Sequence, residues 1–282
     1  MTRKGIAFFD WDFTLVHFPH KAGVEAVREW SAERWNPATA DYIAEVFNIC
    51  FERGMRWSRR MDAPEATDEL AQTLKQLEQG VVCTGERPDS FMWSRELWSA
   101  TALSLLRKKY MLAMDSYSPF AITEAYWEGI AQQGKPYEEA AKVLADIRNN
   151  GWQIVIVTSS DFRLVPTPDA FVGFRYDPGF STETKIFRMW QSGILTREDV
   201  VVVGDPISKP DPRFWERALS VSDWKHPEKA MMVGDSYATD IAGAPPEFTT
   251  LLIDREGKYT GTDTPRASAV ISNLTEVLNW VK

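Results

Sequence analysis

The sequence predicts an α/β protein with a doubly wound, mostly parallel sheet and an all-α domain inserted after the first strand. Short, apolar and largely β-branched runs alternate with helical patterns over residues 137–282, as parallel strands covered on both faces require. A similar run occupies residues 6–9, whereas residues 17–136 carry helical patterns alone. We therefore expect a core domain from residues 1–16 and 137–282 and a separate all-helical domain from residues 17–136.

The elements follow one another in a regular order along the chain. After the strand at residues 6–9, further core strands are predicted over residues 153–158, 200–203, 230–233, 249–254 and 270–271. Core helices are predicted over residues 137–150, 211–220 and 274–281. Breaks that contain Gly, Pro or Asp divide the insert into helices predicted over residues 21–35, 37–53, 64–79, 90–114 and 122–133.

Composition and charge exclude several classes of protein. The 282 residues are 44% hydrophobic and 26% charged, which is typical of an ordinary folded protein. The formal net charge of −8 argues against general nucleic-acid binding, which needs clustered positive charge. Cys50 and Cys83 are far apart, so neither a disulfide framework nor a zinc site is predicted. Without a signal-peptide core or a transmembrane run, we expect a cytoplasmic protein with no membrane partner; its oligomeric state stays open.

Two carboxylates, Asp10 and Asp12, follow the first predicted strand and are two residues apart. Carboxylates this close disfavour each other's ionisation unless a cation or a division of labour relieves them. A divalent ion such as Mg²⁺ can supply that relief, leaving one carboxylate as nucleophile and the other as proton carrier. The alternative is an acidic turn that only caps a following helix.

Further polar residues follow the other apolar strands, at the edge where doubly wound sheets bind ligands. Thr158 begins a Thr-Ser-Ser-Asp segment that can either bind phosphate oxygens or cap the next helix. Lys209 lies in a Lys-Pro-Asp-Pro loop, where a fixed ammonium can neutralise carboxylates and a phosphoryl group. Two Gly-Asp pairs follow strands, but only the pair that contains Asp235 continues to a second carboxylate, Asp240, in an Ala-rich helix.

This order of motifs resembles the haloacid dehalogenase-like (HAD) phosphohydrolases. They share an Asp-x-Asp-x-Thr strand end, a Ser or Thr at the end of a second strand, a Lys, and a Gly-Asp pair followed by another Asp. The resemblance covers about residues 1–16 and 140–282. It implies a Rossmann-like core, a helical cap after the first strand, Mg²⁺, and phosphatase activity on a small phosphorylated metabolite.

The resemblance also implies a role for each matched residue. Asp10 attacks phosphorus to give an aspartyl-phosphate, while Asp12 protonates the leaving oxygen and later deprotonates the attacking water. The dehalogenases of the family lack a carboxylate at the position of Asp12, so its presence favours phosphoryl chemistry. The remaining roles are phosphate binding by Thr158, Ser159 and Lys209; metal binding by Asp10, Asp235 and the backbone carbonyl of Asp12; and support by Thr14 and Asp240.

The sequence leaves alternatives open. A phosphomutase or a phosphonatase on the same core, or a non-catalytic binding protein of the same fold, remains a rival interpretation. Lys185, the one competitor of Lys209, opens an apparent helix and is expected to face solvent. The cap also contains a basic cluster formed by Arg53, Arg56, Arg59 and Arg60 around Trp57. This cluster either grips a second anionic group of the substrate or forms a solvated helix face.

Overall fold

Six parallel strands form the sheet at the centre of the core. The computed structural model describes residues 3–58, 69–110, 117–167, 173–222 and 229–281. In spatial order the strands are β6 (Val200–Gly204), β3 (Trp152–Ser159), β1 (Gly5–Phe9), β7 (Ala230–Gly234), β8 (Thr249–Ile253) and β9 (Ala269–Ile271). All neighbouring pairs are parallel, and the order reverses between β1 and β7. The predicted fold class is confirmed.

Strand β1 is buried on both faces because its side chains alternate between two hydrophobic clusters. Ile6 and Phe8 belong to a cluster that includes Trp215 of helix α8 (Pro212–Ser222). Ala7 and Phe9 belong to the opposite cluster, which helix α6 (Ala140–Asn149) covers. Burial on both faces explains why the strand sequence is continuously apolar rather than alternating.

The insert is a bundle of helices with its own apolar centre. Its described helices are α1 (His20–Ala32), α2 (Pro37–Ser58), α3 (Glu69–Gln79), α4 (Arg95–Tyr110) and α5 (Ser118–Gln133). Helices α1 and α5 approach closely at Gly129, where an added Cβ would lie 2.5 Å from the carbonyl oxygen of Ala22. Among the described helices, none has the length and apolar character needed to cross a membrane.

A second, three-stranded sheet was not predicted. It consists of β2 (Val82–Cys83), β4 (Leu164–Pro166) and β5 (Phe174–Tyr176), in the order β2-β5-β4. Its side chains Leu164 and Tyr176 share a hydrophobic cluster with Phe91 and Leu97. Strands of two or three residues are too short to show periodicity, so only tertiary contacts define them. The division into core and cap at residues 16 and 137 stays a prediction.

Several element boundaries differ from the prediction. The helix predicted over residues 274–281 is a 3₁₀ helix, Leu274–Asn279, which Asn273 and Glu276 cap reciprocally. The Ala-rich helix after Asp235 is a single π-helical turn, Tyr237–Ile241. The helix predicted over residues 90–114 begins at Arg95, and helix α7 (Pro178–Gln191) precedes β6. The first part of the helix predicted over residues 64–79 lies outside the described residues.

Candidate active site

The predicted site residues meet at the carboxyl ends of the central strands. In the parallel register Phe9 pairs with Ile156 on one side and with Val233 on the other. Asp10 therefore follows β1 between the ends of β3 and β7, and its backbone N–H donates to the Val233 carbonyl oxygen at 2.9 Å. Asp235 directly follows β7, at the point where the strand order reverses. This is the crevice in which doubly wound sheets bind ligands.

Lys209 joins two carboxylates at the centre of this crevice. Its Nζ donates to Asp10 Oδ1 at 2.7 Å, to Asp240 Oδ1 at 2.6 Å and to the Val157 carbonyl oxygen at 3.0 Å. Burial alone would lower the pKa of Lys209, but Asp10 and Asp240 outweigh that effect and raise it. The ammonium therefore stays charged and satisfies all three of its donor positions.

Three carboxylates face one another around this lysine. One oxygen from each of Asp10, Asp235 and Asp240 lies within 4.8 Å of the others. Burial, followed by the charge of Asp240, raises the pKa of Asp10 to about 7 against the attraction of Lys209. Burial and the charge of Asp10 likewise raise the pKa of Asp235 well above its usual value. One lysine does not neutralise three carboxylates, and clustered carboxylate oxygens of this kind are suitable ligands for a hard divalent cation.

Backbone geometry holds Asp240 in this cluster. Its Oδ2 accepts the backbone N–H of Ser236 at 3.0 Å, across the turn that follows β7. Gly234 permits the approach, because an added Cβ would lie 2.3 Å from that same oxygen. Thr14 donates to Asp10 Oδ2 over a longer distance, 3.4 Å. A glycine is therefore needed at position 234, because the Asp240 carboxylate packs directly against its backbone.

Asp12 points towards a different cation, and the expectation for Lys185 was wrong. Lys185 is 2% exposed rather than solvent-facing. Its Nζ donates to Asp12 Oδ2 at 2.5 Å and lies 3.6 Å from Asp161 Oδ1. Ser181, Lys185 and Met189, spaced four residues apart, form the buried side of helix α7, which places Lys185 next to carboxylates from distant segments. The sequence gives little signal of this burial, because Phe187 and Trp190 of the same helix are exposed.

The hydroxyl segment at the end of β3 lines the crevice but does not cap a helix. Thr158 is buried, and Ser159 Oγ accepts a hydrogen bond from Ser208 Oγ at 2.9 Å. Ser160 Oγ donates to Asp205 Oδ2 at 2.9 Å, and Asp161 forms ion pairs with Arg188 and Lys185. Because the chain continues into the second sheet instead of a helix, the capping interpretation was wrong.

The other Gly-Asp pair, Gly204-Asp205, does not contribute to the acidic cluster. Asp205 follows β6 and is buried, and burial raises its pKa to about 7 despite the hydrogen bond from Ser160. Its Oδ2 also accepts a long bond from Thr182 Oγ1, whereas Oδ1 has no hydrogen-bond partner among the described residues. Asp205 therefore supports the loop after β3 through its hydrogen bond with Ser160.

A cavity of about 840 Å³ opens from the carboxylates towards the insert. Its polar end contains Asp10, Asp12, Asp235, Asp240, Lys185, Lys209 and the segment 158–162. The insert contributes Phe18, Phe51, Met55, Met92, Trp93 and Arg95, together with the polar residues Glu86, Arg87, Asp89 and Ser90, and Phe13 of the loop after β1 lines the cavity as well. Phe13 has a φ of 64°, a left-handed backbone conformation that turns its ring towards the insert.

The basic cluster of the insert is not part of the described cavity wall. Arg56 is exposed, Arg53 is half-buried, and neither lines the cavity. Arg59, Arg60 and the side chain of Trp57 lie outside the described residues. The two described arginines therefore lend no support to a role in gripping the substrate.

Comparison with known proteins identifies the family. The family model of haloacid dehalogenase-like hydrolases matches residues 6–245. The chain belongs to this family of hydrolases. A comparison with curated proteins found no match.

Solved structures of the same fold include enzymes with different activities. YfnB from Bacillus subtilis, named as a HAD hydrolase and bound to magnesium, matches with a TM-score of 0.60 and 16% identity over 100% of both chains. The 2-haloacid dehalogenase of Pseudomonas syringae pv. Tomato DC3000 has a TM-score of 0.57 and 19% identity, covering 98% of this chain and 97% of its own. A HAD phosphatase from Thermococcus onnurineus has a TM-score of 0.50 and 18% identity, covering 98% of this chain and 96% of its own. At these identities the similarity shows the fold alone.

Proposed function

We propose that this hydrolase is a Mg²⁺-dependent phosphatase that cleaves a small phosphorylated metabolite through an aspartyl-phosphate on Asp10. The observation that carries the proposal is the arrangement at the end of β1. Asp10 is paired with the buried Lys209, while a separate carboxylate, Asp12, lines the same cavity. A halide leaves without a proton, so a dehalogenase does not need this second carboxylate, whereas an alkoxide leaving group does.

The buried acidic cluster supports a metal requirement. Asp10 and Asp235, with the backbone carbonyl of Asp12, would hold Mg²⁺, and Asp240 would support it from the side of Lys209. The raised pKa values of Asp10 and Asp235 indicate that these carboxylates lack positive charge. When bound, Mg²⁺ would neutralise the charge of the carboxylates and of the phosphoryl oxygens.

The residues of this chain divide the reaction into two displacements. Thr158, Ser159 and Lys209 bind and orient the phosphoryl oxygens. In the first step a carboxylate oxygen of Asp10 bonds to phosphorus, the ester O–P bond breaks, and Asp12 gives its proton to the departing oxygen. In the second step Asp12 takes a proton from water as the water oxygen attacks phosphorus, and the Asp10–phosphorus bond breaks. Inorganic phosphate leaves, and Asp12 is protonated again.

The rival activities on the same core have weaker support. A phosphonatase of this family type needs a cap lysine for a Schiff base, but Lys21 and Lys75 are exposed and neither lines the described cavity. A phosphomutase differs in the fate of the phosphoryl group, which returns to a sugar instead of passing to water. A non-catalytic binding protein would not need every position of the site to be occupied by a chemically competent residue.

The proposal is tested by phosphate release and by trapping the intermediate. Purified protein with Mg²⁺ should release inorganic phosphate from members of a panel of phosphorylated metabolites. Acid-quenched samples should contain protein that carries one phosphoryl group on the peptide with Asp10. Asp10→Asn should lose both signals and keep its fold by circular dichroism, because it removes the nucleophile but keeps the side-chain shape. Halide release from a 2-haloacid without phosphate release from any ester would contradict the proposal, as would Asp10→Asn activity above about a hundredth of wild type.

We further propose that the protein acts in the cytoplasm on a small molecule rather than on nucleic acid. Cys50 is buried in the helical insert, Cys83 is half-buried, and the two do not form a disulfide with each other. The net charge of −8 opposes binding to a polyanion, whereas Lys185 and Lys209 supply local positive charge for one phosphoryl group.

A further inference from the structure

The cavity that contains Asp10 also has a wall of aromatic rings, which we call the aromatic chamber: Phe13, Phe18, Phe51 and Trp93. The Phe18 and Phe51 rings are nearly parallel with centroids 6.2 Å apart, and the Phe13 and Phe18 centroids are 5.7 Å apart. The Trp93 ring meets Phe51 edge-on at 6.1 Å. These side chains come from the loop after β1, from α2 and from the loop before α4, so tertiary packing alone brings them together.

The aromatic chamber is continuous with the catalytic crevice. The same cavity of about 840 Å³ contains Asp10, Lys209 and all four rings. A phosphorylated two-carbon acid has nine non-hydrogen atoms, and at roughly 20–30 Å³ each it fills about a fifth to a third of this space. Such a substrate would leave the rings facing water. A pocket of this size with an apolar wall fits a larger leaving group.

Flat rings are the ligands that best complement such a wall. Aromatic side chains pair by offset stacking or edge-to-face contact, and both geometries already occur among Phe13, Phe18, Phe51 and Trp93. An added aromatic ring can continue this pattern and remove apolar surface from water on both partners. A sugar or a short carboxylic acid presents hydroxyl or carboxylate groups that would lose hydrogen bonds against the same wall.

Arg95 adds one polar feature to the aromatic chamber. Its side chain lines the cavity and is 3% exposed, with its guanidinium carbon 5.7 Å from the Phe18 centroid and 5.5 Å from the Trp93 centroid. Its Nη1 donates to the Trp93 carbonyl oxygen and lies 3.9 Å from Asp161 Oδ1. The same guanidinium carbon lies 4.5 Å from the Trp98 centroid and 5.0 Å from the Trp127 centroid, and its Nε is fully buried. Arg95 is therefore held inside the aromatic wall, and the rings are the surface that a ligand contacts.

Building on the proposed phosphatase activity, we propose that the substrate is a phosphate monoester whose leaving group carries an aromatic or heteroaromatic ring. The ring occupies the aromatic chamber while the phosphate reaches Asp10. Phe51 and Trp93 are then specificity-determining residues, since they contact the leaving group and not the phosphorus.

The test compares esters whose leaving groups are equally reactive. Propyl, 3-cyclohexylpropyl and 3-phenylpropyl phosphate all release primary alcohols. We expect kcat/KM to rise about tenfold or more from the propyl to the phenylpropyl ester. The cyclohexyl ester should lie below the phenyl ester. Equal kcat/KM for the propyl and phenylpropyl esters would overturn the proposal.

Variants locate the preference in the aromatic chamber. Phe51→Leu and Trp93→Leu should reduce the phenylpropyl-to-propyl ratio of kcat/KM several-fold. Trp30→Leu is the matched control, because Trp30 is a half-buried aromatic residue of α1 that does not line the cavity. It should leave the ratio unchanged. An equal fall of the ratio in Trp30→Leu would assign the effect to general loosening of the helices and contradict the proposal.

A binding measurement separates this inference from the proposed function. Calorimetry with 3-phenylpropylphosphonate and propylphosphonate, which cannot be hydrolysed at a P–O–C bond, reports ring recognition without turnover. Tighter binding of the phenyl compound, with no phosphate release from any ester, would refute the phosphatase proposal and support the aromatic chamber. Equal dissociation constants for the two phosphonates, together with normal ester hydrolysis, would support the phosphatase proposal and refute ring recognition by the aromatic chamber.

Discussion

Lys209 is one ammonium group shared by two carboxylates, and its burial decides how strongly they interact. With Asp10 at 2.7 Å and Asp240 at 2.6 Å, the group is 4% exposed. Removing one partner of such a buried pair costs about 3–5 kcal/mol because a charge is left uncompensated. Function and stability are therefore linked at this residue, and Asp12 offers a cleaner test of chemistry because its side chain is partly exposed.

We expect Asp12→Asn to separate the two proposed steps. With an alkyl phosphate the variant should be slow throughout, because the leaving alkoxide lacks its proton donor. With an aryl phosphate of low leaving-group pKa, the first step should survive while hydrolysis of the aspartyl-phosphate lacks its base. Stopped-flow measurement should then show a burst of aryl alcohol followed by a slow phase. Equal slowing of burst and steady state for both kinds of ester would speak against the double role.

The burial of Asp205 should make the stability of the protein depend on pH. Burial raises its pKa from 3.8 to about 7 in the folded protein, so the unfolded chain loses this proton first as pH rises. The contribution of protonated Asp205 to the free energy of unfolding is fully present below about pH 4 and is lost as the pH rises to about 7. The variant Asp205→Asn resembles the protonated side chain and removes this dependence.

Between about pH 4.5 and 7, the free energy of unfolding of wild type should therefore fall by about 1–3 kcal/mol relative to Asp205→Asn. Urea denaturation at several pH values measures the difference. Asp41→Asn, which changes an exposed carboxylate of α2, is the control and should follow the wild-type curve. Parallel curves for wild type and Asp205→Asn would show that Asp205 ionises normally in the folded state.

At the scale of elements, helices α1 and α5 cross in close contact at Gly129. An added Cβ at Gly129 would lie 2.5 Å from the Ala22 carbonyl oxygen and 2.9 Å from the Ala26 Cβ, so the helices would have to separate. Gly129→Ala should lower the free energy of unfolding by about 1–3 kcal/mol, despite the better helix propensity of alanine. Chemical denaturation tests this. Gly85→Ala, where no atom lies within 4 Å of the added Cβ, should be nearly neutral.

Strand register is the element-scale feature that assembles the site. Parallel pairing of β1 with β3 and β7 ends these strands at one edge, so residues 10, 158 and 235 meet although they are far apart in sequence. The strands were predictable because each is apolar and bounded by polar residues. The second sheet was not, because its strands have two or three residues and depend on packing against Phe91 and Leu97.

At the scale of the whole molecule, the acidic cluster draws its carboxylates from both ends of the core sequence. We expect activity to require Mg²⁺, to disappear in excess chelator, and to be suppressed by Ca²⁺, whose larger and looser shell tends to bind carboxylates in a bidentate manner. Mg²⁺ should also raise the Tm of wild type, because ligands that bind the folded state stabilise it. Dye-monitored melting and a phosphate-release assay measure both effects.

The variant Asp235→Asn provides the control for that prediction. It should abolish the Mg²⁺-dependent rise in Tm together with activity. Without metal it should be at least as stable as wild type, because it removes a buried carboxylate whose pKa is raised by burial and by Asp10. Full activity in chelator, or an unchanged response of Asp235→Asn to Mg²⁺, would rule out a metal site at this cluster.

The sequence by itself determined the α/β class, the parallel core strands and the residues that follow them, because apolar runs and turn residues are local signals of a buried strand and its end. It also indicated Lys209 and the Gly234-Asp235 pair, whose contacts follow from the topology of the sheet. Only the tertiary structure decided that Lys185 is buried against Asp12 and Asp161, and that four aromatic residues of separate segments line one cavity. The physical reason is that burial and charge pairing between distant segments depend on how helices pack, and neither leaves a periodic signal in the local sequence.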